Sequence, residues 1–184
     1  QIVFDNLQDE TGNLYHVCNF MNFVDRHKYS MDFITADGGF DFSFSYRHQE
    51  QSILRLLLTQ VMYALMCQKK GGNFVMKLFD VFTQGTVDII YMLNTFYGEV
   101  YLCKPFTSRF ANSERYIVCK QFRYRNIDHL YGNFLNVFQV LEDNKDFCLE
   151  RILNIPIHDI FVRKIENINS IFGQNQDRKS TRLN

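Results

Sequence analysis

The sequence predicts an α/β fold in which strands alternate with helices and the sheet carries an antiparallel strand at its edge. Three observations predict it: short apolar runs that end at turn residues, apolar residues at helical spacing between those runs, and a last connection too short for a crossover helix. With 184 residues, of which 46% are hydrophobic and 22% charged, the chain has the composition of one globular domain and not of a disordered protein.

The first half of the predicted sheet contains two strands separated by a helix. Residues 31–36 are a short apolar run that stops at Asp37-Gly38-Gly39, which is typical of a buried strand ending at a turn. Residues 49–67 have apolar side chains at helical spacing, and we expect Gly71-Gly72 to end this helix. The second strand is predicted over residues 73–79.

The second half of the sheet is predicted to contain a helix and two further strands. The helix covers residues 86–96, the third strand residues 99–103, and the fourth strand residues 114–122. The polar loop at 105–113 is too short to hold a crossover helix, so the last two strands are predicted to be antiparallel neighbours. We therefore assign the sheet-containing domain to residues 1–125.

The remainder of the chain is predicted to be a helical appendage. Apolar residues recur at helical spacing over residues 126–173, with a break at Pro156, and we expect this part to pack on the sheet without chemistry of its own. Residues 174–184 are polar and without periodicity, so they are expected to be an unstructured tail. Residues 177–184 also resemble a translated sequencing adapter and are left out of the predicted fold.

Several classes of protein and site are excluded by composition. The longest apolar run, residues 53–66, is interrupted by Arg55, Thr59 and Gln60, so we expect a soluble protein without membrane contact. Five cysteines lie tens of residues apart, with no Cys-x-x-Cys pair and no His at ligand spacing, which predicts no metal site and buried thiols in a reducing compartment. The glycine pairs lack the spacing of a phosphate or dinucleotide loop.

Charge is distributed unevenly along a chain whose formal net charge is zero. Residues 1–50 have eight acidic and three basic side chains, a net of −5, whereas residues 104–125 have six basic side chains and one acidic, a net of +5. A cation-binding face and an anion-binding face could therefore coexist, as a positively charged cofactor and a nucleic acid would require. The alternative is a solvated strand and loop with scattered charges.

Three ionisable residues are placed where the predicted fold brings strand ends together: Asp37, Lys77 and Glu114. A lysine inside an apolar strand is the least expected of them. Burial lowers the pKa of a lysine from ~10.4 and neighbouring carboxylates raise it, which makes such a residue a candidate general base. The alternative is a lysine that extends to solvent in an ordinary ion pair.

These residues lie in motifs whose order and spacing are specific. The motifs are Thr35-Ala36-Asp37-Gly38-Gly39-Phe40, Gln49-Glu50, Gly71-Gly72-Asn73-Phe74-Val75-Met76-Lys77-Leu78-Phe79-Asp80 and Lys104-Pro105-Phe106-Thr107-Ser108-Arg109-Phe110-Ala111-Asn112-Ser113-Glu114-Arg115-Tyr116-Ile117-Val118-Cys119. Over residues 11–122 the chain resembles the FtsJ-type ribose 2′-O-methyltransferases, which have a Rossmann-like sheet. It is most similar to the branch that methylates the first transcribed nucleotide of capped mRNA, which includes homologues from large DNA viruses.

The resemblance implies a catalytic role for each of the three residues. The family uses a Lys-Asp-Lys-Glu tetrad, and Asp37, Lys77 and Glu114 match its last three members. Lys77 is then the base that takes the proton of the ribose 2′-hydroxyl as that oxygen attacks the methyl carbon of S-adenosylmethionine. Asp37 and Glu114 orient the lysines, and Asp37 also lies beside the cofactor. This chemistry requires no metal.

The resemblance also indicates what this chain lacks. The first lysine of the tetrad and the Gly-rich cofactor loop precede the matched part and are not in this chain, so we expect an amino-terminally truncated domain that is inactive alone. Asn13 stands where relatives have an aspartate that contacts the adenosyl group, and its amide can still hydrogen-bond adenine. Asn13 and Asp37 are therefore the predicted cofactor-binding residues.

Four residues are implied to contact the substrate RNA. Ser108, Arg109 and Asn112 match a loop that relatives use near the RNA, where Arg109 suits a phosphate; its alternative partner is Glu114. Arg47 occupies a position where relatives have an asparagine that touches the substrate. The expected partner is thus capped mRNA, in the nucleus for a cellular protein and in the cytoplasm or virion for a viral one. The alternatives are methylation of ribosomal or transfer RNA, or an inert RNA-binding or scaffold module.

Overall fold

The centre of the structure is a four-stranded sheet in the order β1-β2-β4-β3. The strands are β1 (Met31–Ala36), β2 (Gln68–Leu78), β3 (Tyr97–Cys103) and β4 (Arg115–Phe122). The structure is a computed structural model that describes residues 9–38, 49–105, 113–144 and 149–180. β1 and β2 are parallel, and β4 runs antiparallel to both of its neighbours. The predicted mixed α/β sheet is confirmed.

The antiparallel strand lies inside the described sheet and not at its edge. β4 pairs with β2 on one side and β3 on the other, so the edge strand β3 has the same direction as β1 and β2. The predicted antiparallel pairing of the last two strands is correct. The prediction of an antiparallel strand at the edge is wrong, because β4 lies between β2 and β3. The reason is burial: Ile117 and Cys119 of β4 belong to the core, whereas most of β3 is exposed or half-buried.

In the described ranges, five α-helices accompany the sheet: α1 (Val17–His27), α2 (Gln49–Cys67), α3 (Gln84–Phe96), α4 (Tyr131–Asp143) and α5 (Asp159–Ser180). The bounds of α2 are those predicted, and its side chains from Ile53 to Cys67 are buried all around the helix, apart from the half-buried Arg55. The predicted bounds of α3 and β3 differ from the observed ones by two residues at their start. α1 was not predicted from the sequence, although Phe20 and Val24 are buried at helical spacing.

One face of the sheet packs against helices and the other is more open. Phe74, Met76 and Leu78 of β2 are buried, whereas the alternating residues Val75 and Lys77 are half-buried. This alternation is the period of two that a strand imposes on its side chains. It separates an apolar face in contact with the helices from a face that can carry polar groups.

The glycine pair Gly71-Gly72 does not end α2, in contrast to the prediction. The helix ends at Cys67 and β2 begins at once, with the two glycines in a bulge where the register of β1 and β2 shifts. Gly71 has a φ of +84°, and a Cβ on Gly72 would lie 2.8 Å from the carbonyl oxygen of Asp32. The glycines are therefore explained by the bulge, which side chains would obstruct.

The helical appendage is attached to the sheet domain through packed and polar contacts. Phe138 of α4 stacks on Phe20 of α1, with ring centroids 4.2 Å apart. The carboxylate of Asp88 in α3 accepts hydrogen bonds from the backbone N–H groups of Ile152 and Leu153. α5 continues to Ser180, past the predicted start of an unstructured tail at residue 174, because a helix already formed extends with one hydrogen bond per added residue.

The four cysteines in the described ranges differ in their exposure. Cys67 and Cys119 are buried, Cys103 is half-buried, and Cys18 is exposed at the surface of α1, so the expectation of buried thiols is wrong for Cys18. Cys148 lies outside the described residues.

In the described part of the chain, no helix has the length and apolarity needed to cross a membrane.

Candidate active site

Asp37 and Lys77 meet at the carboxyl ends of the two parallel strands. Ala36 and Met76 are register partners, so the next residue of each strand is delivered to the same end of the sheet. The Nζ atom of Lys77 lies 2.9 Å from Oδ1 of Asp37. The lysine side chain is 26% exposed and the aspartate 64% exposed, so the pair lies at the surface with its ammonium partly sheltered.

The lysine inside an apolar strand is explained by strand alternation. Met76 and Leu78 point to the helices, whereas Lys77 points to the open face, where it reaches the carboxylate of Asp37. The ring of Phe79 lies 6.0 Å from Nζ. Lys77 therefore has the ion-pair partner that one interpretation predicted. It also lies at the carboxyl ends of the parallel strands, where α/β sheets bind ligands, as a candidate general base should.

The antiparallel strand β4 positions Glu114 at the same end of the sheet, beside the carboxyl ends of β1 and β2. It directly precedes β4, and the paired positions Leu78 and Arg115 bring the start of that strand to the end of β2. The backbone carbonyl of Glu114 accepts a hydrogen bond of 3.1 Å from Nζ of Lys104. Burial, together with the charge of Arg115, lowers the pKa of Lys104.

Tyr116 is a site residue that sequence reasoning missed. Its hydroxyl donates a hydrogen bond of 2.7 Å to Oε1 of Glu114, and it is the register partner of Lys77. The hydrogen bond to Glu114 raises the pKa of Tyr116 to about 12, with further contributions from burial and from the charges of Glu114 and Asp37. The sequence contained a signal for this contact, because residues two positions apart in a strand lie on the same face and Tyr116 is two residues after Glu114.

The amide of Asn13 makes hydrogen bonds within its own loop. Its Oδ1 accepts from the backbone N–H of Tyr15 at 2.9 Å, and its Nδ2 lies 2.9 Å from Nε2 of His16. Asp9 holds the same loop: burial raises the pKa of its carboxyl, but hydrogen bonds from Asn19, His16 and Thr11 outweigh burial and keep it below the usual range. The side chain of Asn13 therefore stabilises the loop that precedes α1.

A cavity of about 280 Å³ connects this loop to Asp37. Leu14, next to Asn13, lines it together with Ile34, Asp37 and Gly38, and the backbone N–H of Gly38 donates to Oε1 of Gln60 over 3.0 Å. Its volume is just below that of typical small-molecule sites, which are ~300–1,000 Å³. The apolar wall of this cavity could contact the base of a nucleoside, and the carboxylate of Asp37 at its end could contact a cationic group attached to that nucleoside.

Arg47, Ser108, Arg109 and Asn112 lie outside the described residues. The structure thus brings together Asp37, Lys77 and Glu114, all three predicted catalytic residues. Within residues 9–38, 49–105, 113–144 and 149–180, no group of three or more His, Cys, Asp or Glu side chains is arranged to hold a metal ion.

Comparisons with known proteins assign most of the chain to one family. The model of the FtsJ-like methyltransferase family matches residues 3–122. Three similar relatives are the cap-specific mRNA (nucleoside-2′-O-)-methyltransferase 2 of Drosophila melanogaster and the cap-specific mRNA (nucleoside-2′-O-)-methyltransferases 1 of Dictyostelium discoideum and Caenorhabditis elegans. They are 37%, 33% and 49% identical over 66%, 89% and 67% of this chain, respectively. The chain spans only 18%, 22% and 13% of their lengths.

The matched region coincides with the part of the structure that forms the site. Residues 3–122 include the whole sheet and the paired groups at its edge, Asp37 with Lys77 and Glu114 with Tyr116. The helices α4 and α5 lie beyond the matched residues. Sequence, sheet topology and site geometry lead to one assignment, and the chain belongs to the FtsJ-like methyltransferase family.

Proposed function

We propose that this chain takes part in methylating the ribose 2′-hydroxyl of the first transcribed nucleotide of capped mRNA. The observation that carries the proposal is the ion pair of Lys77 and Asp37, with Tyr116 and Glu114 at the same sheet edge. The names of the relatives support a capped mRNA substrate, since all three are cap-specific mRNA 2′-O-methyltransferases.

FtsJ-like methyltransferases depend on S-adenosylmethionine, which supplies a methyl group already activated by the sulfonium. In the proposed site, Asp37 and the apolar lining at Leu14 and Ile34 are the described residues that would hold it. The carboxylate of Asp37 matches the positive charge of the sulfonium, and the apolar residues match a nucleoside base. Asn13 contributes indirectly, by fixing the loop that contains Leu14.

Lys77 is the proton acceptor of the proposed reaction. An alcohol is a weak nucleophile, so a base at the attacking oxygen and in-line positioning supply most of the rate increase. With Nζ as the neutral amine, Lys77 would take the 2′-hydroxyl proton as the 2′-oxygen attacks the methyl group that bound S-adenosylmethionine would supply, with S-adenosylhomocysteine as the leaving group. Asp37 orients Nζ through the 2.9 Å contact, and Tyr116 holds Glu114 beside it.

The test is methyl transfer by the full-length protein to an RNA with a 5′ cap. Lys77→Ala should lower the rate by about 10²-fold or more, since a positioned base contributes 10²–10⁴-fold. The matched control is Lys69→Ala, because Lys69 makes the same kind of 2.9 Å ion pair, with Asp32, between the same two strands at their other end. Equal loss in both variants would contradict the role of Lys77.

Two further measurements separate this proposal from its alternatives. The same RNA with a 5′-triphosphate should be methylated far more slowly; equal rates would favour a ribosomal or transfer RNA substrate. Mass spectrometry of the digested product should place the methyl group on the first transcribed nucleotide. Calorimetry should detect S-adenosylmethionine binding to the folded protein, and its absence would favour an inert RNA-binding module.

A further inference from the structure

The helix α5 reaches the sheet edge through the side chain of Arg115. Arg115 is the first residue of β4, and its side chain is only 2% exposed. One guanidinium nitrogen lies 3.1 Å from Oδ1 of Asp80, and another donates to Oδ1 of Asn169 in α5 over 2.9 Å. The ring of Phe172, one turn further along α5, lies 4.7 Å from the guanidinium carbon.

α5 also contacts the segment that follows β2. Nδ2 of Asn169 donates a hydrogen bond of 2.6 Å to the backbone carbonyl of Val81. Val81 and Asp80 come soon after Lys77 in the chain. Asn169 therefore contacts both strands that present the catalytic groups. It accepts from the side chain of Arg115 at the start of β4 and donates to the backbone of Val81, three residues after the end of β2.

Strand alternation connects this contact to the site. Arg115 points to the helix-covered face, whereas Tyr116 points to the opposite face with Lys77. Fixing the buried guanidinium therefore fixes the rotation of β4 about its axis and, with it, the directions of Glu114 and Tyr116. A guanidinium suits this task, because its planar set of donors can bind several acceptors in one geometry.

The charges around Arg115 depend on one another. Burial raises the pKa of Asp80, while the charges of Arg115 and Lys104 oppose that rise. Lys104 in turn donates to the backbone carbonyl of Glu114. A shift of Arg115 would thus change the balance at Asp80 and at the lysine that contacts Glu114.

We propose that α5 is a positioning element of the methyl-transfer site and that Arg115 and Asn169 are its positioning residues. This inference rests on the proposed function. The helical appendage, expected from the sequence to have no chemistry of its own, then acts on the reaction by holding the start of β4. No substrate or cofactor contact is assigned to α5.

The test compares two substitutions of Asn169 in the full-length protein. Asn169→Ala removes both hydrogen bonds and should lower kcat about tenfold, with the KM for RNA changed less than twofold, because small displacements of catalytic groups cost rate. Asn169→Asp keeps an acceptor for Arg115 but loses the donor to the Val81 carbonyl, so its kcat should fall between those of the wild type and Asn169→Ala. Ser170→Ala, at the adjacent exposed position of α5, is the control and should leave kcat unchanged.

Hydrogen exchange provides a readout that does not need activity. Backbone amides at residues 113–118 should exchange faster in Asn169→Ala than in the wild type or in Ser170→Ala. Unchanged exchange and kcat in Asn169→Ala would overturn the inference, as would a loss of activity that only follows the folded fraction in thermal unfolding. If the wild type methylates no RNA, the proposed function fails, and the exchange experiment still decides whether α5 holds β4.

Discussion

Tyr116 and Lys77 are register partners on neighbouring antiparallel strands, and each is bound to a different carboxylate of the site. Lys77 contacts Asp37, and Tyr116 donates to Glu114. The two strands therefore deliver a cation and a hydroxyl side by side, with one acidic partner for each. This arrangement makes the roles of the four groups separable by substitution.

The Tyr116 hydroxyl can be removed with little disturbance of the fold. Tyr116→Phe should lower kcat several-fold, because Glu114 loses a hydrogen bond that orients it, and should change the free energy of unfolding by about 1 kcal/mol or less. Tyr101→Phe is a closely matched control, since Tyr101 makes the same 2.7 Å hydrogen bond to Glu99, two residues earlier in β3. Similar rates for both variants would refute a role for Tyr116.

The carboxylate of Asp88 is predicted to stabilise the junction between α3 and the appendage. Its side chain is fully buried and accepts hydrogen bonds of 2.8 Å and 3.1 Å from the backbone N–H groups of Ile152 and Leu153. Asp88→Ala should reduce the free energy of unfolding by about 2 kcal/mol, measured by urea unfolding, because it leaves buried donors unsatisfied. Asp143→Ala, at an exposed position, should change it by less than about 0.5 kcal/mol.

The stabilisation by Asp88 should depend on pH in the acidic range. Burial raises the pKa of Asp88. Its hydrogen bonds with Gln84, Ile152, Leu153 and Arg151 lower the pKa by more than burial raises it, so the net change is downward. A carboxyl with a lowered pKa in the folded state contributes full stability above its unfolded pKa of about 3.9 and loses it as pH falls through the folded value. Urea unfolding should therefore show a shallower acid decline in Asp88→Asn than in the wild type. Equal pH profiles for the two proteins would contradict this assignment.

Gly72 is predicted to tolerate no side chain. A Cβ there would lie 2.8 Å from the carbonyl oxygen of Asp32 and 2.9 Å from that of Lys69, so the backbone of the bulge must move. Gly72→Ala should destabilise the protein by ~1–3 kcal/mol, as overpacking does. Gly132→Ala in α4, where a Cβ meets nothing within 4 Å, should be neutral or stabilising by up to about 1 kcal/mol. Thermal unfolding of both variants measures the contrast.

Local patterns predicted most of the fold because their periods reflect burial directly. The apolar run of β1, the helical spacing of α2 and the short connection before β4 are each properties of consecutive residues. The glycine pair was misread because glycine both ends helices and allows bulges, and only the register of β1 against β2 distinguishes the two. α1 was missed although Phe20 and Val24 have helical spacing.

The candidate site divides in the same way. The sequence alone determined the α/β class, the family resemblance and the identity of Asp37, Lys77 and Glu114, because these follow from residue types and their spacing. Only the tertiary structure showed that Tyr116 joins Glu114, that the amide of Asn13 is used within its own loop, and that Asn169 reaches Arg115. Those contacts join residues whose side-chain directions depend on strand register and helix docking, which are set by the packing of the whole core.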